Sequence, residues 1–197
     1  MVFDRRLQGK PVLFIPDRFA LNGNLLMRQS DATKLRWSQV GMGCLEAPHR
    51  RLRLLPSSLM RWSEWREMLP STTVMKTTLG LGSSENLSPT MEDYLTHDEV
   101  PFPFYRGLKS DQHHNKESML LAHGSKGFVA YPVRLILEKL SPESPEFFDA
   151  ENGLKVRKIG SGASFAVTDV GGRSVPSGLS FWYAIQAFQP DISVYPF

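Results

Sequence analysis

Trp62-Ser63-Glu64-Trp65-Arg66-Glu67-Met68-Leu69-Pro70-Ser71-Thr72-Thr73-Val74 decides how this chain is read. Leu59, Trp62, Trp65, Met68 and Leu69 are spaced by three and four, so they share one helical face. Ser57 or Ser58 is placed to cap that helix and Pro70 to stop it. Thr72 to Thr77 is β-branched and reads as the strand that follows. The same order returns at a constant offset of 120 residues, in Trp182-x-x-Ile185-x-x-Phe188-x-Pro190-Asp191-x-x-Val194. There Leu179 to Phe188 reads as a second aromatic helix and Ile192 to Tyr195 as a closing strand. A weaker echo precedes each helix: Phe3-Asp4 with Gly9-Lys10, and Phe148-Asp149 with Gly153. Two copies of one unit account for both motifs. The tryptophan helices are then expected to be buried twins anchoring equivalent sheets.

Outward from these helices the signals are mostly short strands and turns. Pro11 to Pro16 is an apolar run, Asn22-Gly23 is a turn signal, and Leu35 to Leu45 and Leu52 to Leu55 read as strands. Met119 to His123, Gly127 to Tyr131, Leu154 to Ile159 and Ala163 to Thr168 read the same way. Pro132 suits the first turn of a buried helix running to Leu140. Between the halves, Gly80 to Ser118 is polar and rich in Gly, Ser and Asn, and reads as a long surface excursion. The expected organisation is a first β-rich unit over 1–79, a connecting excursion over 80–117 and a second β-rich unit over 118–197, together one compact domain. The fold class is α+β, β-rich, with two pseudo-repeated β units each carrying a short aromatic helix. Gly127 to Pro132 and its helix have no counterpart in the first copy, so the chain reads as beginning partway through its first unit.

Composition narrows the function classes. A chain of 197 residues with 41% hydrophobic and 22% charged residues has the material for a core. The net charge of +3 is too small to signal nucleic acid. The densest basic cluster, His49-Arg50-Arg51-Leu52-Arg53, alternates with Leu52 and Leu54 and reads as a strand with one wet face. Cys44, the single cysteine, excludes an internal disulfide and lies in an apolar run, so it reads as an inert buried thiol. No stretch is long enough to span a bilayer, and the charged start, Met1 to Arg6, is unlike a signal peptide. As written, the chain reads as cytoplasmic. An open sheet edge would leave self-association as an expectation; other partners are unknown.

The motifs Asp31-Ala32-Thr33-x-x-x-Trp37-Ser38-Gln39-x-Gly41, Leu54-x-Pro56, Trp62-x-x-Trp65, Ala130-Tyr131-Pro132 and Phe181-Trp182-Tyr183 follow one another in an order that resembles the family catalogued as domain of unknown function 3179. The resemblance covers nearly the whole chain. It implies a mainly bacterial and archaeal family, many of whose members are exported, so a longer natural chain would be periplasmic or extracellular. It implies no activity. Members typically carry a Cys-Pro-x-Cys segment before the Phe-Asp-Arg that opens this chain as Phe3-Asp4-Arg5. That pair is absent from the sequence given, and Glu46-Ala47-Pro48-His49 replaces the family's Gly-Pro turn.

Candidate chemistry concentrates between His97 and His123. His113, His114 and His123, with Asp111, are the residues able to hold a divalent metal such as zinc. Adjacent His113 and His114 point apart in an extended chain, and no His-x-x-x-His spacing occurs. No cofactor is predicted. Gly160-Ser161-Gly162-Ala163-Ser164 reads as a turn rather than a nucleophile elbow, and Gly80-Leu81-Gly82-Ser83-Ser84 lacks the lysine of a phosphate loop. Glu64 and Glu67 read as an ion-paired helix surface beside Arg61 and Arg66. The leading expectation is a non-catalytic binding or structural module. The alternatives are a metal-dependent or hydrolytic enzyme using the His97–His123 region, and a remnant of a thiol or metal protein.

Overall fold

In a computed structural model, which describes residues 2–21, 24–74, 95–97 and 113–197, the chain is a β-rich α+β protein. The first half is built of short strands: β1 (Val2–Asp4), β2 (Arg6–Leu7), β3 (Lys10–Pro11), β4 (Phe14–Leu21), β5 (Asn24–Gln29), β6 (Arg36–Ser38), β7 (Gly43–Cys44) and β8 (Arg53–Leu55). β4 to β7 form an antiparallel sheet in chain order, β2 pairs with β3, and β1 pairs with β8. Leu21 pairs with Asn24, as the Asn22-Gly23 turn signal requires. Trp37 is fully buried at the centre of this half, with Cys44 and Leu52 against it. The indole Nε1 of Trp37 donates to Gln29 Oε1 at 2.9 Å, so its one polar atom is satisfied inside the core. Arg51 and Arg53 are exposed while Leu52 and Leu54 are buried, the one-sided strand that their alternation predicts.

α1 (Trp62–Met68) closes the first half. After the connecting residues come β9 (Ser118–Gly124), β10 (Gly127–Pro132), α2 (Val133–Lys139), β11 (Glu146–Asp149), β12 (Leu154–Lys158), β13 (Phe165–Asp169), β14 (Ser177–Phe181), α3 (Trp182–Phe188) and β15 (Ser193–Val194). The central sheet has the order β14-β9-β10-β15, and β11-β12-β13 form a second sheet. β9 and β10 are buried on both faces. Leu120, Ala122, Val129 and Tyr131 join Phe147, Val156 and Val167 of the second sheet in one core. Met119, Leu121 and Ala130 lie under Trp182 and Ile185 of α3 in another. Continuous apolar runs such as Met119–Ala122 suit strands covered on two sides. α3 has a second contact: Tyr183 and Ala184 meet Val40 of the first half. A Cβ at Gly41 would come within 2.8 Å of Phe188 Cδ1, so the close approach there needs glycine.

Several sequence expectations shift here. The second aromatic helix begins at Trp182, not Leu179, because residues 177–181 complete the central sheet beside β9. α1 begins at Trp62, and Ser57 and Ser58 do not cap it. Their hydroxyls donate across to the carbonyls of Ser177 (2.9 Å) and Phe165 (2.7 Å). Glu64 caps instead, accepting the Arg61 N–H at 3.1 Å. Residues 72–74 are not in a strand; residues 75–77, Asp111 and most of the 80–117 excursion lie outside the described residues.

The two tryptophan helices match locally and differ in surroundings. Each has seven residues, and their C-caps have nearly the same backbone angles, φ −134° and ψ 73° at Leu69 against φ −140° and ψ 69° at Gln189. Each is followed by the same turn, Thr72 N–H to Leu69 C=O and Ile192 N–H to Gln189 C=O. Yet Trp182 is 4% exposed and Trp62 48%. The expectation of two buried twins is therefore corrected. α3 has the β9–β10 pair beneath it, whereas α1 has no buried residue.

Candidate functional site

The structure separates the three histidines chosen from the sequence. His113 is mostly buried, and its Nδ1 is 2.9 Å from Glu117 Oε2. Its ring meets Trp182 edge-on at 5.2 Å. His114 is exposed, and its Nδ1 accepts the Lys116 backbone N–H at 3.2 Å. His123 lies on β9 and faces Phe128 of β10, with ring centroids 4.8 Å apart at 90°. Asp111 is outside the described residues. Among the described residues no three His, Cys, Asp or Glu side chains converge as a metal-binding group. Glu117 was not among the residues singled out from sequence, although the His113-x-x-x-Glu117 spacing was there to be read.

Around His113 the polar groups are incompletely satisfied. Glu117 Oε1 and Trp182 Nε1, of the two side chains that meet His113, are buried without a hydrogen-bond partner among the described residues. Arg134 Nε stands 3.7 Å from Glu117 Oε1, close enough for charge attraction but too far for a hydrogen bond.

A second constellation lies where β8 of the first half faces the β9–β10 hairpin of the second. It is a crevice of about 310 Å³. Its apolar walls are Met42, Leu52, Leu54, Phe128 and Pro176. The polar side chains lining it are Arg51, Arg53 and His123, with no carboxylate among them. Both guanidiniums are held in place: Arg51 Nη1 donates to the Gly41 carbonyl at 3.2 Å and Arg53 Nη2 to Asp4 Oδ2 at 2.7 Å. The Arg6 backbone N–H, then the Arg53 guanidinium, hold the Asp4 carboxyl below its ordinary range. Fixed cationic donors over an apolar floor can seat a group that is charged at one end and greasy at the other.

Elsewhere, the polar clusters brace the fold. Asp149 is fully buried and accepts the Tyr131 hydroxyl at 2.6 Å, the Asn152 side-chain amide at 2.8 Å and the Asn152 backbone N–H at 3.0 Å. Burial first, then the Asp149 bond, pushes the Tyr131 phenol far above its ordinary value, which keeps it a neutral donor. Cys44 is buried, with its Sγ 3.7 Å from Glu46 Oε2. The Gly160–Ser164 segment is the turn between β12 and β13, and both the backbone N–H and the hydroxyl of Ser161 donate to Glu64. Glu64, still at the surface, thus bonds to this turn as well as to its own helix.

A family model described as "Protein of unknown function (DUF3179)" matches residues 1–192. No curated protein and no solved structure matches the chain. No helix among the described residues is long and apolar enough to cross a membrane.

Proposed function

The chain belongs to the family of proteins of unknown function DUF3179, and from its own residues we propose that it is a non-catalytic binding module whose ligand site is the crevice between β8 and the β9–β10 hairpin. The observation that carries this reading is the composition of that one cavity, where an apolar floor is joined by a few anchored polar groups. Apolar contact supplies affinity in such sites, and the placed polar groups supply orientation. The site draws on both halves of the chain, so their docking creates it. The test is a protein-observed NMR screen of small-molecule fragments. Hits are expected to cluster at the amides of residues 51–54, His123 and Phe128. Hits clustering over α1 or α2 instead would contradict the reading.

The His113–Glu117 bond favours a second reading, a metal site. Metal-bound imidazoles commonly donate their other ring N–H to a carboxylate, which fixes the ring. Glu117 offers His113 that partner, and Asp111 and His114 are its sequence neighbours. Elemental analysis of purified protein tests this. Stoichiometric zinc, copper or iron that disappears in the double variant His113→Ala, His114→Ala would support it; protein without metal after equilibration with zinc would reject it.

A further inference from the structure

Taking the crevice as a ligand site, as the preceding reading does, we infer that its ligand is a small organic monoanion, with the anionic head at Arg51, Arg53 and His123 and an apolar body against Leu52, Leu54 and Phe128.

The sign follows from the lining, which holds two guanidiniums and an imidazole and no acidic side chain. The magnitude follows from the partners. Arg53 is already balanced by Asp4, at 2.7 Å. Arg51 gives one N–H to a neutral carbonyl and has no carboxylate partner among the described residues. One uncompensated positive charge suits one negative charge, because a second would find no further counter-ion among the side chains lining the crevice. Direction is set too. Each guanidinium has five N–H donors in a fixed fork, and here one of them is spent on anchoring, so donors remain for a planar carboxylate or a sulfonate. His123 adds an N–H from the facing hairpin, and its ring is steadied by the edge-on contact with Phe128. For the apolar body the half-buried Phe128 and Pro176 offer the accessible surface, while Leu52 and Leu54, 8% and 4% exposed, add only the little area they leave uncovered. At about 310 Å³ the cavity is at the small end of the ~300–1,000 Å³ typical of ligand sites. That size fits a medium-chain or aromatic acid rather than a nucleotide.

Decanoate and its neutral analogue decanol, titrated separately into the full chain at pH 7 and followed by NMR, test the inference. Decanoate is expected to shift the amides of Arg51, Leu54, His123 and Phe128 saturably and to bind more tightly than decanol at the same residues. Arg51→Gln keeps an uncharged donor on a shorter side chain and loses the charge. It is expected to weaken decanoate about tenfold, the loss of one charge-assisted contact, and to leave decanol unchanged. His123→Gln, which keeps a donor at a different wall, should cost decanoate less than Arg51→Gln. If decanoate and decanol bind equally and Arg51→Gln affects neither, the anion assignment is overturned while the crevice remains a binding site. If neither compound shifts these residues, the binding reading itself fails.

Discussion

The hydroxyl of Ser57 donates to the backbone carbonyl of Ser177 at 2.9 Å, joining two positions separated by the same 120 residues that separate Trp62 from Trp182. Beside it, Ser58 donates to the Phe165 carbonyl at 2.7 Å. These bonds fasten the segment before α1 onto the sheets of the second half. Ser57→Ala and Ser58→Ala are each expected to lower stability by about 0.5–1.5 kcal/mol, read as a shift in urea midpoint at unchanged slope. An unchanged midpoint in the double variant would show that the two halves are held together by other contacts.

Glu64 extends the same seam. Its carboxylate accepts the Ser161 backbone N–H at 2.6 Å and hydroxyl at 2.7 Å, and these bonds, with that from Arg61, hold its carboxyl below the ordinary glutamate value of 4.5. A carboxyl whose folded-state pKa is depressed contributes stability that is fully present above the unfolded value. That contribution is lost as pH falls through 4.5 and on through the lowered folded value. The melting temperature of the native chain should therefore fall more steeply below pH 4.5 than that of Glu64→Gln, with the two curves parallel above it. Parallel curves throughout would show that the Ser161 contact does not favour the ionised form.

Gly160 is doubly constrained by that contact. Its φ is +73°, and an added Cβ would lie 2.6 Å from Glu64 Oε2. Gly9 has a similar φ of +78° with nothing within 4 Å of a Cβ. Gly9→Ala is expected to cost about 1 kcal/mol for the left-handed backbone alone. Gly160→Ala should cost about 1 kcal/mol more, since Glu64 must also give way. Equal losses for the two variants, measured by denaturant unfolding, would remove the steric part of this account.

The four tryptophans provide a check on the unlike helices. Trp37 and Trp182 are buried, while Trp62 and Trp65 are exposed at 48% and 36%. Trp182→Ala should cost about 3–5 kcal/mol, as a large core truncation does. Trp62→Ala should cost about 1 kcal/mol or less. Acrylamide should quench part of the native emission readily, and Trp62→Phe should shrink that part. Comparable destabilisation by the two alanine variants would mean that α1 is covered as α3 is.

Much of the fold was legible along the chain because local patterns dictated it. Leu154, Val156 and their exposed neighbours alternate, so β12 could be placed from sequence alone. Pro132 marked where α2 begins, although the structure keeps it one residue short of the first turn, as the N-cap at the end of β10. The misreadings fall where tertiary contact overrides a local signal. Ser57 and Ser58 look like helix caps, but their hydroxyls find acceptors across the seam. Leu179 has helical spacing to Trp182 but pairs with Leu120 in the central sheet. The candidate site was the least legible part. The sequence marks Arg51 as one of a basic strand and His123 as a metal candidate, but nothing in it relates the two, and only the docking of β8 against the β9–β10 hairpin puts them on one cavity.

Contacts between the ligand's apolar chain and the protein's methyl groups test the central claim most directly. In the decanoate complex, intermolecular nuclear Overhauser effects should connect the chain protons of decanoate to the methyls of Met42, Leu52 and Leu54, which wall the crevice. They should be absent at Leu137, which lines a separate surface hollow beside α2. Effects to Leu137 and none to Leu52 or Leu54 would place the ligand elsewhere and contradict the account.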